Sequence, residues 1–298
     1  MSAVPQPERR GVRTPVGNRR PPGKHILLDR ALESLPLFRL SDSAEESSIL
    51  FTPASGGRWR VLPAPGDRLP GTFDQDVYVE LCRRYLDAGS PEDGVITFTL
   101  HAFLRSIGRR ADGRTYEQLR AALNRLERTS LESHEAYYSA AAGHPIQGRF
   151  TVLQSVSIDR RRVADREQLA LFANVTTSEP GDARVVLSHV VRGNLSSGHV
   201  TTLVAAQYAA LQSPVARRLY RLLEVARADD TVTWRIGLEA LAELMPLVQR
   251  YPSHLQRVLQ PAHEMLLAAG LVRDAKVHQV DKVWYVDYVL ATREKANG

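Results

Sequence analysis

The chain has 298 residues, 43% of them hydrophobic and 24% charged, and it carries a formal net charge of +6. This length suggests two domains, each large enough to bury its own core. The single cysteine, Cys82, excludes an internal disulfide and a zinc cage made of cysteines. No apolar run approaches the roughly 20 residues of a membrane helix. Because no apolar stretch follows the basic first residues, as it would in a signal peptide, we expect a cytoplasmic protein without membrane contact.

The excess positive charge lies near the N-terminus. Residues 1–72 contain 11 Lys and Arg against 7 Asp and Glu, residues 73–163 contain 13 against 12, and residues 164–298 contain 15 against 14. Residues 1–24, rich in Pro, Gly and Arg, predict a disordered basic tail that either contacts phosphates non-specifically or only keeps the chain in solution. Residues 25–72 form an N-terminal extension, in which 49–52 and 58–62 predict two short strands around A-S-G-G.

Residues 73–163 predict a first compact domain with a winged-helix order of elements. Apolar periodicity indicates a helix at 74–86, a strand at 95–98, helices at 99–107 and 115–128, and strands at 130–138 and 150–158. In a winged helix, the second helix of the helix-turn-helix enters the major groove. The candidate DNA contacts here are Arg109, Arg110, Arg114, Gln118 and Arg125. The alternative for the helical arginines is a solvated face paired with Glu117 and Glu127.

A polar linker at 164–183 leads into a second domain at 184–298 with the same order of elements. A long helix follows Ser213 and Pro214, which suit the positions at a helix start. Its arginines Arg217, Arg218 and Arg221 lie together on one side and are candidate DNA contacts. A strand at 231–236, a short helix at 238–245, a longer helix and two strands at 271–277 and 283–290 complete the unit.

The stretch from Arg250 to Leu271 predicts the helix that reads DNA. Ser253 is the expected N-cap, and Gly270 ends the helix. An apolar stripe faces inward: Leu255, Leu259, Ala262 and Leu266. The other face offers side chains that can hydrogen-bond base edges, namely Ser253, Gln256, Arg257, Gln260, His263 and Glu264. For His263 on this helix, we expect a solvated polar residue, whereas His254 is open between solvation and DNA contact.

Three stretches of the chain resemble one known family. They are F-D-Q-D-V-Y-V-E-L from Phe73, S-P-V-A-R-R-L-Y-R-L-L from Ser213, and R-Y-P-S-H-L-Q-R-V-L-Q-P-A-H-E-M-L-L-A-A-G from Arg250, with L-P-L-F at 35–38 as a weaker match. Together they resemble the replication initiator protein A family of plasmids and secondary bacterial replicons. The resemblance spans about residues 25 to 290. It implies a helix-rich α+β fold of two tandem winged-helix domains.

In terms of function, the resemblance implies a protein that binds repeated sites in double-stranded DNA at an origin. The first domain would add backbone contacts and form a homodimer. The second domain would read the bases and bind phosphate. The resemblance implies base reading by Ser253, His254, Gln256, Arg257 and Gln260, and phosphate binding by Arg217, Arg218 and Arg250. Host replication proteins are the other partners that such a role implies. The alternative that we keep is a winged-helix transcriptional repressor, which would bind an inverted repeat at a promoter.

The sequence offers no motif for catalysis, a cofactor or a metal. It contains no P-loop, no G-x-S-x-G and no dinucleotide-binding G-x-G-x-x-G. His263-Glu264 would begin a zinc-protease motif, but Leu267 stands where the second histidine must be. We therefore expect no enzyme, with no catalytic, cofactor-binding or metal-binding residues. A winged helix that docks proteins is a third hypothesis, under which Arg257→Ala and Arg218→Ala would leave DNA affinity unchanged.

Overall fold

The computed structural model describes residues 24–40, 47–158, 182–227, 232–249 and 251–292. Helices and strands are mixed throughout these ranges, so the α+β class is confirmed. The basic tail, except for Lys24, lies outside the described residues, as do Arg250 and most of the predicted linker. None of the helices in the described ranges is both long and apolar enough to cross a membrane.

The N-terminal extension is part of the folded body. It contains β1 (His25–Asp29), α1 (Arg30–Glu33), β2 (Ile49–Phe51) and β3 (Arg58–Leu62). The two predicted short strands are confirmed, since β2 and β3 pair antiparallel. They join β5 (Ser130–Ser139) and β6 (His144–Phe150) in a four-stranded sheet of order β2-β3-β5-β6.

The first helix-turn-helix unit packs against a separate three-stranded sheet. Its helices are α2 (Thr72–Asp87), α3 (Leu100–Ser106) and α4 (Gly113–Arg128). The sheet has the order β4-β8-β7, with β4 (Val95–Thr99), β7 (Leu153–Ile158) and β8 (Asp182–Leu187). We expected 130–138 and 150–158 to close this unit as neighbouring strands. Instead, β7 pairs with β8 across residues 159–181, a non-local pairing that periodicity in a single sequence does not reveal.

A short segment connects this sheet to the second helix-turn-helix. It consists of α5 (His189–Ser196), β9 (Val200–Val204) and α6 (Ala205–Ala210). Strand β9 pairs antiparallel with β1, which lies far from it in the sequence, near the N-terminus. The connecting segment is therefore tied to the N-terminal extension through backbone hydrogen bonds.

The second unit follows the predicted order of elements closely. It contains α7 (Pro214–Ala226), β10 (Thr233–Gly237), α8 (Leu238–Leu244), α9 (Pro252–Ala268), β11 (Val272–Val280) and β12 (Val283–Leu290). The strands form a sheet of order β10-β12-β11. The turn between β11 and β12 consists of Asp281 and Lys282, both with positive φ, as the tight two-residue hairpin turn requires.

The apolar stripe of α9 is buried as expected. Leu255, Leu259, Ala262 and Leu266 are each at most 1% exposed. The start of the helix is one correction: Tyr251 is the N-cap residue, and Ser253 lies inside the first turn. Pro252 explains the shift, because its fixed φ and missing N–H suit the first helical position.

A buried polar cluster joins β1, β5 and α5. The carboxylate of Asp29 accepts hydrogen bonds from the hydroxyl of Tyr137, from the side-chain amide of Asn194 at 3.0 Å and from the backbone N–H of Ala31 at 3.0 Å. Burial raises the pKa of Asp29 to about 7, although these hydrogen bonds oppose the shift. Asp29 thus begins α1 and also connects the N-terminal extension to two distant elements.

Replacing Leu259 by Ala should lower the free energy of unfolding by about 2–5 kcal/mol, because it leaves a cavity beneath α9. Leu267→Ala is the matched control, since Leu267 lies on the same helix and is 40% exposed. We expect its loss to stay within about 0.5 kcal/mol. Urea denaturation measures both values, and equal losses would show that the stripe is assigned to the wrong face.

Asp29 should make stability fall as the pH rises from about 4 to 7. In this window, the folded chain keeps a proton on Asp29 that the unfolded chain has released, so the slope is about −1.4 kcal/mol per pH unit. Above pH 7 the contribution is constant. Asp29→Asn is the control, because it cannot titrate. The difference in unfolding free energy between the two proteins, measured across pH 4–8, should follow this slope, and a flat difference would contradict it.

Candidate nucleic-acid interface

The exposed face of α9 carries the predicted base-reading side chains. Ser253, His254, Arg257 and Gln260 are exposed, whereas Gln256 is half-buried. Positions 253, 257 and 260 follow a helical spacing of four and three residues, so these side chains lie on one stripe. The amide of Gln260 donates to the carboxylate of Glu264 at 2.9 Å. No carboxylate of the described residues pairs with Arg257, which leaves its guanidinium free to bind a partner.

Tyr251 stands next to this stripe and was not singled out from the sequence. It is 71% exposed, and its ring meets the ring of His254 edge-on with 5.8 Å between centroids. The pair of Tyr251 and His254 extends the exposed face of α9 to the N-terminal side of the helix.

The hairpin that follows α9 adds basic side chains. Arg273, Lys276 and Lys282 are exposed, and Lys282 occupies the turn. Arg235 on the neighbouring strand β10 is instead held by Asp287, with two hydrogen bonds of 2.6 and 2.9 Å. The hairpin was expected only as a structural element, so Lys276 and Lys282 are additional candidates.

In the first unit, α4 and the turn before it present several exposed polar side chains. Arg114 and Gln118 are exposed one helical turn apart, and the side chain of Arg110 is 90% exposed. Arg109 is about half exposed and lies 3.5 Å from the carboxylate of Asp76. These four residues can contact a phosphate backbone without refolding.

Arg125 does not belong to this exposed face. Its guanidinium donates to both carboxylate oxygens of Asp74, at 2.9 and 3.1 Å, and both residues are buried. The pair joins α4 to the first turn of α2. The expectation that Arg125 contacts DNA is therefore corrected, and its role is structural.

The arginines of α7 are also mostly structural. Arg218 and Arg221, 3% and 0% exposed, lie on either side of the buried carboxylate of Glu33, at 3.0 and 3.1 Å. Arg217, largely buried, contacts Asp76 at 2.6 Å. We expected all three to contact DNA, and this geometry corrects that expectation. Their carboxylate partners are more than 130 residues away in the sequence, so helical periodicity could not identify them.

Further contacts of this cluster reach both helix-turn-helix units. Arg218 donates to the carbonyl of Leu35 at 2.8 Å and to that of Leu244, at the end of α8, at 3.2 Å. Arg221 donates to the side chain of Gln75 on α2 at 2.5 Å. Burial lowers the pKa of Arg218 to about 10, so the group stays charged at neutral pH. The cluster fixes the second unit against the first.

His263 lies on the buried side of α9. Its ring nitrogen Nε2 is 2.9 Å from the hydroxyl of Tyr288 on β12, and the residue is 2% exposed. Burial lowers the pKa of His263 to about 4, so the ring is neutral at pH 7. The expectation of a solvated histidine is wrong, because β12 covers this part of the helix.

Chemistry beyond binding has no visible centre in the part of the chain that the structure describes. There, no three His, Cys, Asp or Glu side chains lie close enough together to hold a metal ion. Cys82 is buried, and burial raises the pKa of its thiol far above the usual range.

Arg221→Ala should lower the free energy of unfolding by about 3–5 kcal/mol, because it leaves the buried charge of Glu33 only partly compensated. Arg114→Ala is the matched control, an exposed arginine whose loss should cost no more than about 0.5 kcal/mol. Urea denaturation at pH 7 measures both. The same midpoint for Arg221→Ala and the wild type would contradict the structural role.

Comparison with known proteins identifies the family. The family model described as replication initiator protein A matches residues 28–245. This match covers the extension, the first helix-turn-helix and α7, and it ends before α9 begins. No curated protein matches the sequence.

Three solved structures are similar to the chain. Domains 2 and 3 of RctB match with a TM-score of 0.53 at 12% identity, covering 88% of this chain and 97% of that chain. The selenomethionine derivative of the same two domains gives 0.52 at 14% identity, covering 86% and 95%. The Pi initiator protein in complex with iteron DNA gives 0.46 at 12% identity, covering 92% and 100%. The RctB structures share the fold, and the family match spans well over half of the chain. The protein therefore belongs to the replication initiator protein A family.

Proposed function

We propose that the protein initiates replication of a plasmid or secondary replicon by binding repeated sites in double-stranded DNA. Membership in the initiator family supports the role. The single observation that carries the DNA-reading part is the exposed, uncompensated stripe of α9, with Arg257 at its centre. We further propose that it acts in the cytoplasm, on the plasmid or nucleoid, as a homodimer that works with host replication proteins.

The finer fold in this proposal is two tandem winged helices. The first consists of α2, α3, α4 and the sheet β4-β8-β7, and the second of α7, α8, α9 and the sheet β10-β12-β11. In each, a helix-turn-helix is followed by a strand pair that can act as a wing. This division moves the end of the first unit from residue 163 to Leu187, because β8 completes its sheet.

In the second winged helix, α9 enters the major groove. The groove accepts one α-helix, and its base edges present donors and acceptors in a pattern that differs for each base pair. Arg257 forms the bidentate contact to a guanine, while Ser253, His254, Gln256 and Gln260 contact neighbouring positions. Such an arginine contact discriminates against the wrong base by about 1–3 kcal/mol.

The first winged helix contributes mainly phosphate contacts. Arg110 is exposed in the turn that precedes α4, and Arg114 is exposed in the first turn of the helix. Arg109 and Gln118 lie beside them. Charge there neutralises phosphates and adds affinity without sequence preference. Two helices on one chain can then occupy neighbouring stretches of the groove, about one helical turn of DNA apart.

Arg257→Ala should reduce affinity for the specific site by about 10- to 100-fold, corresponding to about 1–3 kcal/mol, and should change affinity for unrelated duplex much less. Arg68→Ala is the control, an exposed arginine in the loop before α2. Fluorescence anisotropy with site-bearing and scrambled duplexes gives the two affinities. An equal loss on both duplexes would make Arg257 a phosphate contact, and no loss on either would remove α9 from the interface.

A further inference from the structure

A second basic surface lies on the four-stranded sheet, which is separate from the sheets of both helix-turn-helix units. Along β3, Trp59 and Val61 are fully buried in the core, so Arg58 and Arg60 project from the opposite, solvent side. The strand register places Arg58 opposite His134 and Arg60 opposite Glu132.

On β6, the same register brings Arg149 opposite Glu132 and Gln147 opposite His134. We call this side the basic sheet face, and it consists of Arg58, Arg60, Glu132, His134, Gln147 and Arg149. Strands β3 and β6 thus contribute three arginines to one face of the sheet, with Glu132 and His134 of β5 between them.

Glu132 pairs with two of these arginines and leaves most of their N–H donors available. Its side chain is 9% exposed and accepts one hydrogen bond from Arg60, at 2.9 Å, and one from Arg149. Each arginine uses a single terminal nitrogen for this contact, whereas a guanidinium carries five N–H donors. The side chains of Arg60 and Arg149 are 45% and 67% exposed. One carboxylate therefore orients two guanidinium groups whose remaining donors face solvent.

Arg58 lies beside this pair at the rim of an open cavity of about 390 Å³. The cavity is lined by Gly57, Arg58, His134, Glu135 and Gln147. Within the described ranges no carboxylate forms an ion pair with Arg58. Glu135 is exposed at the bulge of β5 and is the acidic group that opposes an anion here. The surface keeps an excess of positive charge, with three arginines against two carboxylates.

We propose that the basic sheet face binds the phosphate backbone of duplex DNA, as a contact separate from α4 and α9. This inference rests on the proposed function, which supplies DNA as the polyanion. Planar guanidinium forks match phosphate oxygens in geometry and charge. Single strands fit the face less well, because they require grouped exposed rings. Tyr138, at 36% exposure and against the ring of His199, is the aromatic side chain at this end of the sheet.

The contact has a measurable signature in its salt dependence. Each arginine that neutralises a phosphate adds about 1 to the slope of log Kd against log salt concentration. The full chain is titrated with a 30-base-pair duplex that lacks the specific site, at several salt concentrations, as wild type, Arg58→Ala, Arg149→Ala and the double variant. We expect the slope to fall by about 1 for each arginine removed and by about 2 in the double variant. Discrimination between specific and scrambled duplex should not change.

Two further variants provide controls. Arg68→Ala removes an equal charge from an exposed position outside the face and should leave the slope at its wild-type value. Glu135→Gln removes the opposing carboxylate and should tighten binding to the scrambled duplex. Circular dichroism of each variant checks that the fold is intact.

Three results would overturn the proposal. The first is a double variant whose slope equals that of the wild type, and the second is an equal effect of Arg68→Ala. The third is a double variant that no longer binds a poly-glutamate peptide but keeps the wild-type salt slope for DNA. That result would assign the face to an acidic protein. In each case, loss of discrimination in Arg257→Ala would still support the proposed function. A wild type that binds no duplex at all would overturn both.

Discussion

The buried carboxylate of Glu33 between Arg218 and Arg221 is the interaction on which the arrangement of the two units depends. A charge removed from water requires a partner in good geometry, and losing one partner costs several kcal/mol. Glu33 comes from α1, Gln75 from α2, and Leu244 from the end of α8. The cluster therefore ties the extension, the first helix-turn-helix and the second one to the same helix, α7. The position of α9 relative to α4 follows from this contact.

Arginines in different surroundings have different roles in the described part of the chain. Those on α7, and Arg125 on α4, have buried or largely buried carboxylate partners and act as internal cross-links. Arg257 has no carboxylate partner among the described residues, and Arg114 is exposed on a helix face. Because the net charge of the folded part is small, the protein can bind DNA only where arginines are left uncompensated on one surface. The same residue type thus stabilises the fold and supplies the proposed interface.

Local patterns predicted the local structure well. The stripe from Leu255 to Leu266 identified α9 and its buried face, and the A-S-G-G turn identified β2 and β3, because both signals lie within a few residues. Pairings between distant segments were missed, such as β1 with β9 and β7 with β8. Burial of Arg218 and His263 was missed for the same reason, since Glu33 and Tyr288 come from other elements. The sequence contains one indication of a buried ion pair, which is that Glu33 stands alone among the apolar residues around Leu32.

The most direct test of the account is a footprint of the purified protein on its own replicon's origin and promoter, at two salt concentrations. If α9 reads bases while the exposed arginines supply non-specific affinity, protection should cover directly repeated sites and persist at the higher salt. Uniform protection that disappears with salt would contradict base reading by α9. A single protected inverted repeat at the promoter would contradict the role in initiation.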